Sequence, residues 1–410
     1  MRTKLYRIAC LLAVMIAAAC MSVSVQADSS ASDSAYTWWN YPLACNSSYD
    51  GKVYFGFVTS GGKQGVGIFN PSTGKTYKHT FSSSRANGDD HNAPAVRVLS
   101  DGRIMAAYAT GHNQDKKMHV WVSKNPGGVN TWGPETVLTS KGYTTYANLF
   151  ISGGKTWLIY RRRLYNKPEK AWAWCARISM DNTNWSEEKV LVTSPEQYYC
   201  LLKKTTKTGL LRMVMTTNPA QPSPDIRMGF LDLRNEILYD ADMTKITNVD
   251  GKGLRFDNFR VIIPRPSSNQ TQRLFDAAVT DPGTTKILYA VMGKSNQAGG
   301  ANYYLYQNGA KANLVRSERS FATSYYGGAC FMSTSKIAVS ANIDGIDQLF
   351  TMKISGSGAS RIGTIAKASN RNQRVIRPVL SSSGNVLMYQ KTSRYNDYTD
   401  FAITSYFRNL

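Results

Sequence analysis

Histidine is the side chain whose ordinary pKa, about 6.5, suits proton transfer near neutral pH, and this chain of 410 residues has four: His79, His91, His112 and His119. Two of them stand in polar clusters. His91 lies in Gly88-Asp89-Asp90-His91-Asn92-Ala93-Pro94, and His112 lies in Gly111-His112-Asn113, just after the β-rich run from Ile104 to Thr110. A strand pair that leaves from the first cluster and returns to the second sets both imidazoles on one rim. His79 sits in a Lys-flanked strand pattern and His119 within the alternation Met118, Val120, Val122, so both read as structural. No Cys/His spacing resembles a zinc site and no acidic loop a calcium site. Nor is there a phosphate loop or a Gly-x-Ser-x-Gly elbow. The sequence asks for no metal and no cofactor.

The elements that must position these residues are strands. A short extended run, a turn and a β-rich run recur, and the turns share a form: Gly51-Lys52-Val53, Gly102-Arg103-Ile104, Gly154-Lys155-Thr156, Gly209-Leu210-Leu211, Thr285-Lys286-Ile287, Ser335-Lys336-Ile337 and Gly384-Asn385-Val386. Successive anchors are 51, 52, 55, 76, 50 and 49 residues apart, the period of a four-stranded propeller blade. The 76-residue interval predicts an insertion among residues 215–270. A ring must not leave a raw sheet edge, and the short lengths before the first anchor and after the last together make one more repeat. The expectation is an all-β, seven-bladed β-propeller of four-stranded antiparallel blades. Its ring closes by pairing the N- and C-terminal strands.

Residues 1–27 read as a signal peptide: Arg2, Lys4 and Arg7 precede an apolar run from Ile8 to Ala19 and the small-residue site Val25-Gln26-Ala27. A competing reading is lipoprotein processing at Cys20. Residues 28–410 then form one exported domain, expected as a monomer with no membrane span. Cys45, Cys175, Cys200 and Cys330 fit buried free thiols better than a disulfide frame, since three of them precede anchors of non-adjacent blades. Lys and Arg outnumber Asp and Glu by 49 to 27, for a formal charge of +22. No basic block or zinc spacing indicates nucleic acid. Outside the cell such a charge would concentrate acidic polysaccharides, or serve solubility alone.

At this point the sequence resembles a known group. Asp90-His91-Asn92-Ala93-Pro94 followed by Gly111-His112-Asn113 is similar to the seven-bladed propeller polysaccharide lyases, namely the ulvan lyases and the rhamnose–glucuronate lyases acting on gum-type glycans. Tyr146-Ala147-Asn148-Leu149-Phe150 leading to Leu158-Ile159-Tyr160-Arg161 resembles that group's third-blade strands, and Ala176-Arg177-Ile178-Ser179-Met180-Asp181 to Trp185-Ser186 resembles its next strand and Asp-box turn. The resemblance covers about residues 85–190. It implies secreted cleavage of a uronic-acid-containing polysaccharide, of glucuronate or iduronate type and rhamnose-linked, by β-elimination.

That chemistry removes the weakly acidic proton on C5 of a uronate and expels the oxygen on C4. Fixed positive charge or strong donors must hold the carboxylate and the enolate-like intermediate. A base must reach C5, and an acid must protonate the leaving oxygen. The resemblance implies His91, His112, Tyr160 and Arg177 as the catalytic constellation. In it Arg177 holds the carboxylate, His91 or His112 is the base, and Tyr160 is the partner in proton transfer. Asn92 would orient His91 or touch substrate. Arg161, with Arg162 and Arg163, reads as a basic rim for binding, and Arg227, Arg255 and Arg260 are further subsite candidates. Two rivals remain: a sialidase-like hydrolase and a non-catalytic propeller that binds acidic glycans. The hydrolase needs three arginines and a Tyr–Glu pair, and no Glu stands beside a candidate Tyr in the sequence.

Overall fold

The computed structural model describes residues 28–81, 88–220, 225–293, 299–319, 326–356 and 358–410. The expected signal segment, residues 1–27, lies outside them. The described residues form seven sheets, antiparallel but for one added strand, with only three short 3-10 turns. Among them no helix is long and apolar enough to cross a membrane. In chain order the blades begin at Ala44, Ala95, Tyr143, Tyr198, Gln270, Gly328 and Arg374, and in each the first strand in sequence is the innermost. Blade seven takes its outermost strand, Ser29–Ser32, from the other end of the chain, pairing it with Asp400–Asn409. The expected closure of the ring is what the structure has.

All seven anchors fall in the turn between the first and second strands of a blade. Gly51, Gly102, Gly154, Gly209 and Gly384 have φ between +70° and +84° there, a conformation that side chains with a Cβ resist. The recurrence in the sequence is therefore the recurrence of one hairpin. Cys45, Cys200 and Cys330 lie on innermost strands and Cys175 on a third strand, and all four are buried free thiols.

Four strands per blade is a minimum, not a rule. The long interval supplies three extra strands, Lys245–Asn248, Lys252–Arg255 and Arg260–Ile263. The second runs parallel to the outer strand of blade three and the third pairs with Ile226–Met228 of blade four. The insertion thus ties the outer edges of these two blades together.

One segment crosses the mouth of the ring. The chain must travel from the outermost strand of blade seven to the innermost strand of blade one, and residues 35–43 make that passage. Tyr36 donates its hydroxyl to the Arg377 carbonyl, Trp38 packs edge-on against Phe275 at 5.9 Å, and Trp39 stacks on Tyr199 at 4.6 Å. Asn40 Nδ2 donates to the His91 carbonyl and Asn40 Oδ1 accepts from Ala147 N, both at 2.8 Å. Burial of these indoles, Trp38 at 7 % and Trp39 at 1 % exposure, contributes on the order of 2 kcal/mol each. That fixes a floor beneath the histidines.

Candidate active site

The histidine-bearing loop is held by two carboxylates with different partners. Asp89 caps the 3-10 turn Asp90–Asn92: its Oδ1 accepts from His91 N at 2.9 Å and from His91 Nδ1 at 2.8 Å. Its Oδ2 accepts from the backbone N of His112 at 3.1 Å. One side chain thereby ties together two segments that the sequence separates by a strand pair. The preceding Gly88, at φ +76°, leaves no room for a Cβ, which would lie 2.9 Å from the Ser60 carbonyl oxygen.

Asp90 faces the other way. Its Oδ2 accepts from Arg377 Nη1 at 2.7 Å and from the Tyr395 hydroxyl at 2.8 Å, and its Oδ1 lies 3.0 Å from His91 Nδ1. Burial works against its charge, but Arg377, His91 and Tyr395 outweigh it and hold the carboxyl below its ordinary range. Both members of the Asp90–Arg377 pair are fully buried.

The two imidazoles meet, with ring centroids 4.5 Å apart and planes tilted by 45°. Two carboxylates at Nδ1 of His91 assign its proton there, which leaves Nε2 as the basic nitrogen. His112 has the opposite backing. Arg161 Nη2 lies 3.0 Å from His112 Nε2; a guanidinium only donates, so Nε2 is the acceptor and the imidazole is neutral. Burial first, then the positive charge of His91, Arg161 and Arg163, pushes the His112 pKa well below its ordinary value.

Arg161 is fully buried, and its guanidinium lies 4.7 Å from the ring of Tyr146, 4.8 Å from Trp172 and 5.4 Å from Tyr199. Its Nε and Nη1 have no hydrogen-bond partner, and no carboxylate pairs with it among the described residues. Three aromatic faces offset part of the desolvation cost of this charge. Tyr146 sits at φ +59° in a bulge of the innermost strand of blade three, between Thr145 and Asn148. A bulky residue held there costs on the order of 1 kcal/mol or more and marks functional sites. The bulge aims its ring to 5.7 Å from His91 and 6.3 Å from His112. Tyr398, from the distant blade seven, covers the pair: its ring meets His91 edge-on at 5.1 Å and His112 at 5.6 Å, and it is 42 % exposed.

Of the residues singled out in the sequence, the structure brings together His91, His112, Arg161 and, adjacent in the loop, Asn92. The Asn92 side chain is buried with neither amide atom hydrogen-bonded. It does not bring Tyr160 and Arg177 to them. Side chains alternate across a strand, so Tyr160 points to the opposite face of blade three from Arg161. There it is fully buried, with its hydroxyl donated to Glu188 Oε2 at 2.7 Å. Burial, with Cys175 and Glu188 beside it, pushes that phenol far above its ordinary pKa. Arg177 pairs in register with Leu158, three residues along the strand from Arg161 and so about 10 Å down the blade. Its guanidinium is spent on the carbonyls of Ser186 and Thr139.

The other arginines have separate duties. Arg162 pairs with Glu188, and Arg163 lies between the rings of Tyr165 and Trp172. Arg227 is held by Asp225 and by the carbonyls of Asp257 and Phe259 on the edge of blade four. Arg255 pairs with Asp257, and Arg260 with Asp242 in the open. Those three border the insertion, away from the imidazoles. His119 is bonded to Glu135 and stacked on Tyr108, as a structural histidine should be.

The Tyr–Glu pair that is absent from the local sequence does exist in space, as Tyr160–Glu188. It is sealed between blades two and three, with Glu188 also committed to Arg162 and Ser140. It has no access for a sugar. Asp89, His91 and His112 place ligand atoms within 4.8 Å of one another, the donor set of a divalent cation. The Arg161 guanidinium at His112 sets a fixed positive charge against a cation there.

No family model and no curated protein matches the sequence. Solved structures do match. A PL25 ulvan lyase superposes with a TM-score of 0.67 at 11 % identity, over 93 % of this chain and 94 % of that one. The fold is that of the ulvan lyases. A PL25 ulvan lyase structure bound to -[GlcA(1-4)Rha3S]- gives 0.66 at 12 % identity over 93 % and 94 % of the two chains. The polysaccharide lyase Uly1 gives 0.61 at 13 % over 94 % and 99 %. At these identities the ulvan lyases share architecture with this chain, and its own residues must carry the chemistry.

Proposed function

We propose that the protein is a polysaccharide lyase that cleaves a uronic-acid-containing polysaccharide, of the rhamnose-linked glucuronate or iduronate type, by β-elimination. One observation carries this reading: two touching imidazoles with opposite electrostatic backing, His91 buried and His112 partly exposed, under the ring of Tyr398. His91, its Nδ1–H turned to Asp89 and Asp90, presents Nε2 as the base for the C5 proton. His112, held neutral by Arg161, is a donor and not a competing base. With Arg161 and Arg163 behind it, it supplies the positive potential that an enolate-like carboxylate requires. The arginine function thus falls to Arg161 and Arg163 in place of Arg177. The surplus of basic residues, +22 in formal charge, draws a polyanion towards the ring. The similarity to ulvan lyases supports the same substrate class.

The test is ultraviolet absorbance of the unsaturated uronate product during incubation with a panel of glucuronate- and iduronate-bearing polymers. A rising signal is expected on at least one polymer. It should fall by about 10²-fold or more in His91→Ala, with an unchanged unfolding transition. Chain shortening without a new chromophore would move the assignment to a hydrolase. Binding without cleavage would move it to a glycan-binding propeller.

A further inference from the structure

With Tyr160 sealed against Glu188 and His112 Nδ1 buried on the Asp89 side, the oxygen expelled from C4 needs a donor that reaches solvent. The geometry points to Tyr398 of blade seven for that role, an inference that rests on the lyase reading above. Tyr398 is the phenol in contact with both imidazoles that also reaches solvent, 42 % exposed at 5.1 Å from His91 and 5.6 Å from His112.

The rest of blade seven is built to hold it there. Its hairpin strands, Val386–Asp397 and Asp400–Asn409, overrun the innermost strand, whose pairing stops at Arg374 opposite Thr392. Residues 394–397 therefore rise above the blade, paired only with the returning strand. The turn at the tip is closed by Asp397 Oδ1, which accepts from Thr399 N at 2.6 Å and Asp400 N at 3.0 Å. The overhang then leans across blade one onto the histidine loop. Asp90 N donates to the Tyr398 carbonyl at 3.0 Å, and the Tyr395 hydroxyl donates to Asp90 Oδ2 at 2.8 Å. Asp90 thus fixes both the Nδ1 side of the base and the backbone of the phenol.

In the reaction, His91 Nε2 takes the C5 proton and the C5–H electron pair forms the C4–C5 double bond. The C4–O bond breaks with its pair going to oxygen, and that oxygen takes the Tyr398 hydroxyl proton. The phenolate recovers a proton from the His91 imidazolium, directly or through one water. The net change is one proton moved from C5 to O4, and no other reactant is consumed.

The test compares Tyr398→Phe with the unsubstituted chain on the polymer and on a uronoside carrying fluoride at C4, a leaving group that departs without protonation. The ring contacts survive in phenylalanine, so folding and KM should hold. The kcat on the polymer should fall by about 10²-fold, while fluoride release stays within about threefold of the parent. His91→Ala should lose both activities. Equal polymer rates for Tyr398→Phe and the parent would overturn the role of Tyr398 and leave the lyase reading intact. Equal losses on both substrates would also overturn it, as the mark of a structural residue. An unsubstituted chain that forms no unsaturated product on any polymer would sink the lyase reading itself.

Discussion

Asp90→Asn separates the energetic role of the buried network from its catalytic one. Asparagine keeps the shape of the side chain and an oxygen for the Tyr395 hydroxyl, so the change removes charge more than volume. What it leaves is Arg377, fully buried, with Nη1 facing an amide in place of a carboxylate. Removing one partner of a buried pair costs about 3–5 kcal/mol, because the remaining ion has lost its counter-charge and cannot regain water. Against a typical total of about 5–15 kcal/mol that is a large fraction. The comparison is Asp101→Asn, whose partner Arg103 is 40 % exposed while Asp101 is 49 % exposed. Water screens that pair, and its loss should cost no more than about 1 kcal/mol. Urea denaturation followed by tryptophan fluorescence reads both, at a common slope. The double variant Asp90→Asn/Arg377→Met should recover part of the loss, since the orphaned charge is then gone. If Asp90→Asn costs no more than Asp101→Asn, the ion pair is not the fastening that joins blade seven to the histidine loop.

Acid should weaken the fold in two stages. The folded chain holds His112 below its ordinary pKa, so the unfolded chain takes up that proton first as pH falls. Stability from this source is complete above about pH 6.5 and declines below it by up to about 1.4 kcal/mol per pH unit. Asp90, also held low, adds a second loss below about pH 4. The first decline in melting temperature across this range should be shallower in His112→Gln, with His79, also held low by burial, supplying the remainder, and a flat parent curve between about pH 6.5 and 5 would contradict the assignment. Tyr160→Phe and Arg177→Met should each lose about 1 kcal/mol of stability through missing hydrogen bonds while keeping polymer cleavage within about twofold of the parent. A large fall in kcat for either, at unchanged stability, would restore it to the catalytic centre.

The architecture was legible because a propeller repeats a local event. Each first hairpin needs a turn of the same conformation, so Gly51, Gly102, Gly154, Gly209 and Gly384 mark the period without reference to anything distant. Local composition also picked out His91 and His112, since the polar turn and the return of one strand pair are set by neighbouring residues. Tyr160 and Arg161 were both singled out, but local sequence could not say which of them faces the histidines. The two alternate across one strand, and which face looks to the histidines depends on how blade three packs between its neighbours. The remaining parts lie further apart in sequence than any motif reaches. Arg377 meets Asp90 across 287 residues, and Tyr398 reaches His91 only because an over-long hairpin leans over the closed ring. Short-range stereochemistry thus determines that there are blades, how many there are, and where their polar loops begin. Which charges stand behind each imidazole is decided only once the ring has closed, because burial and proximity, not residue type, set the proton affinity of each group.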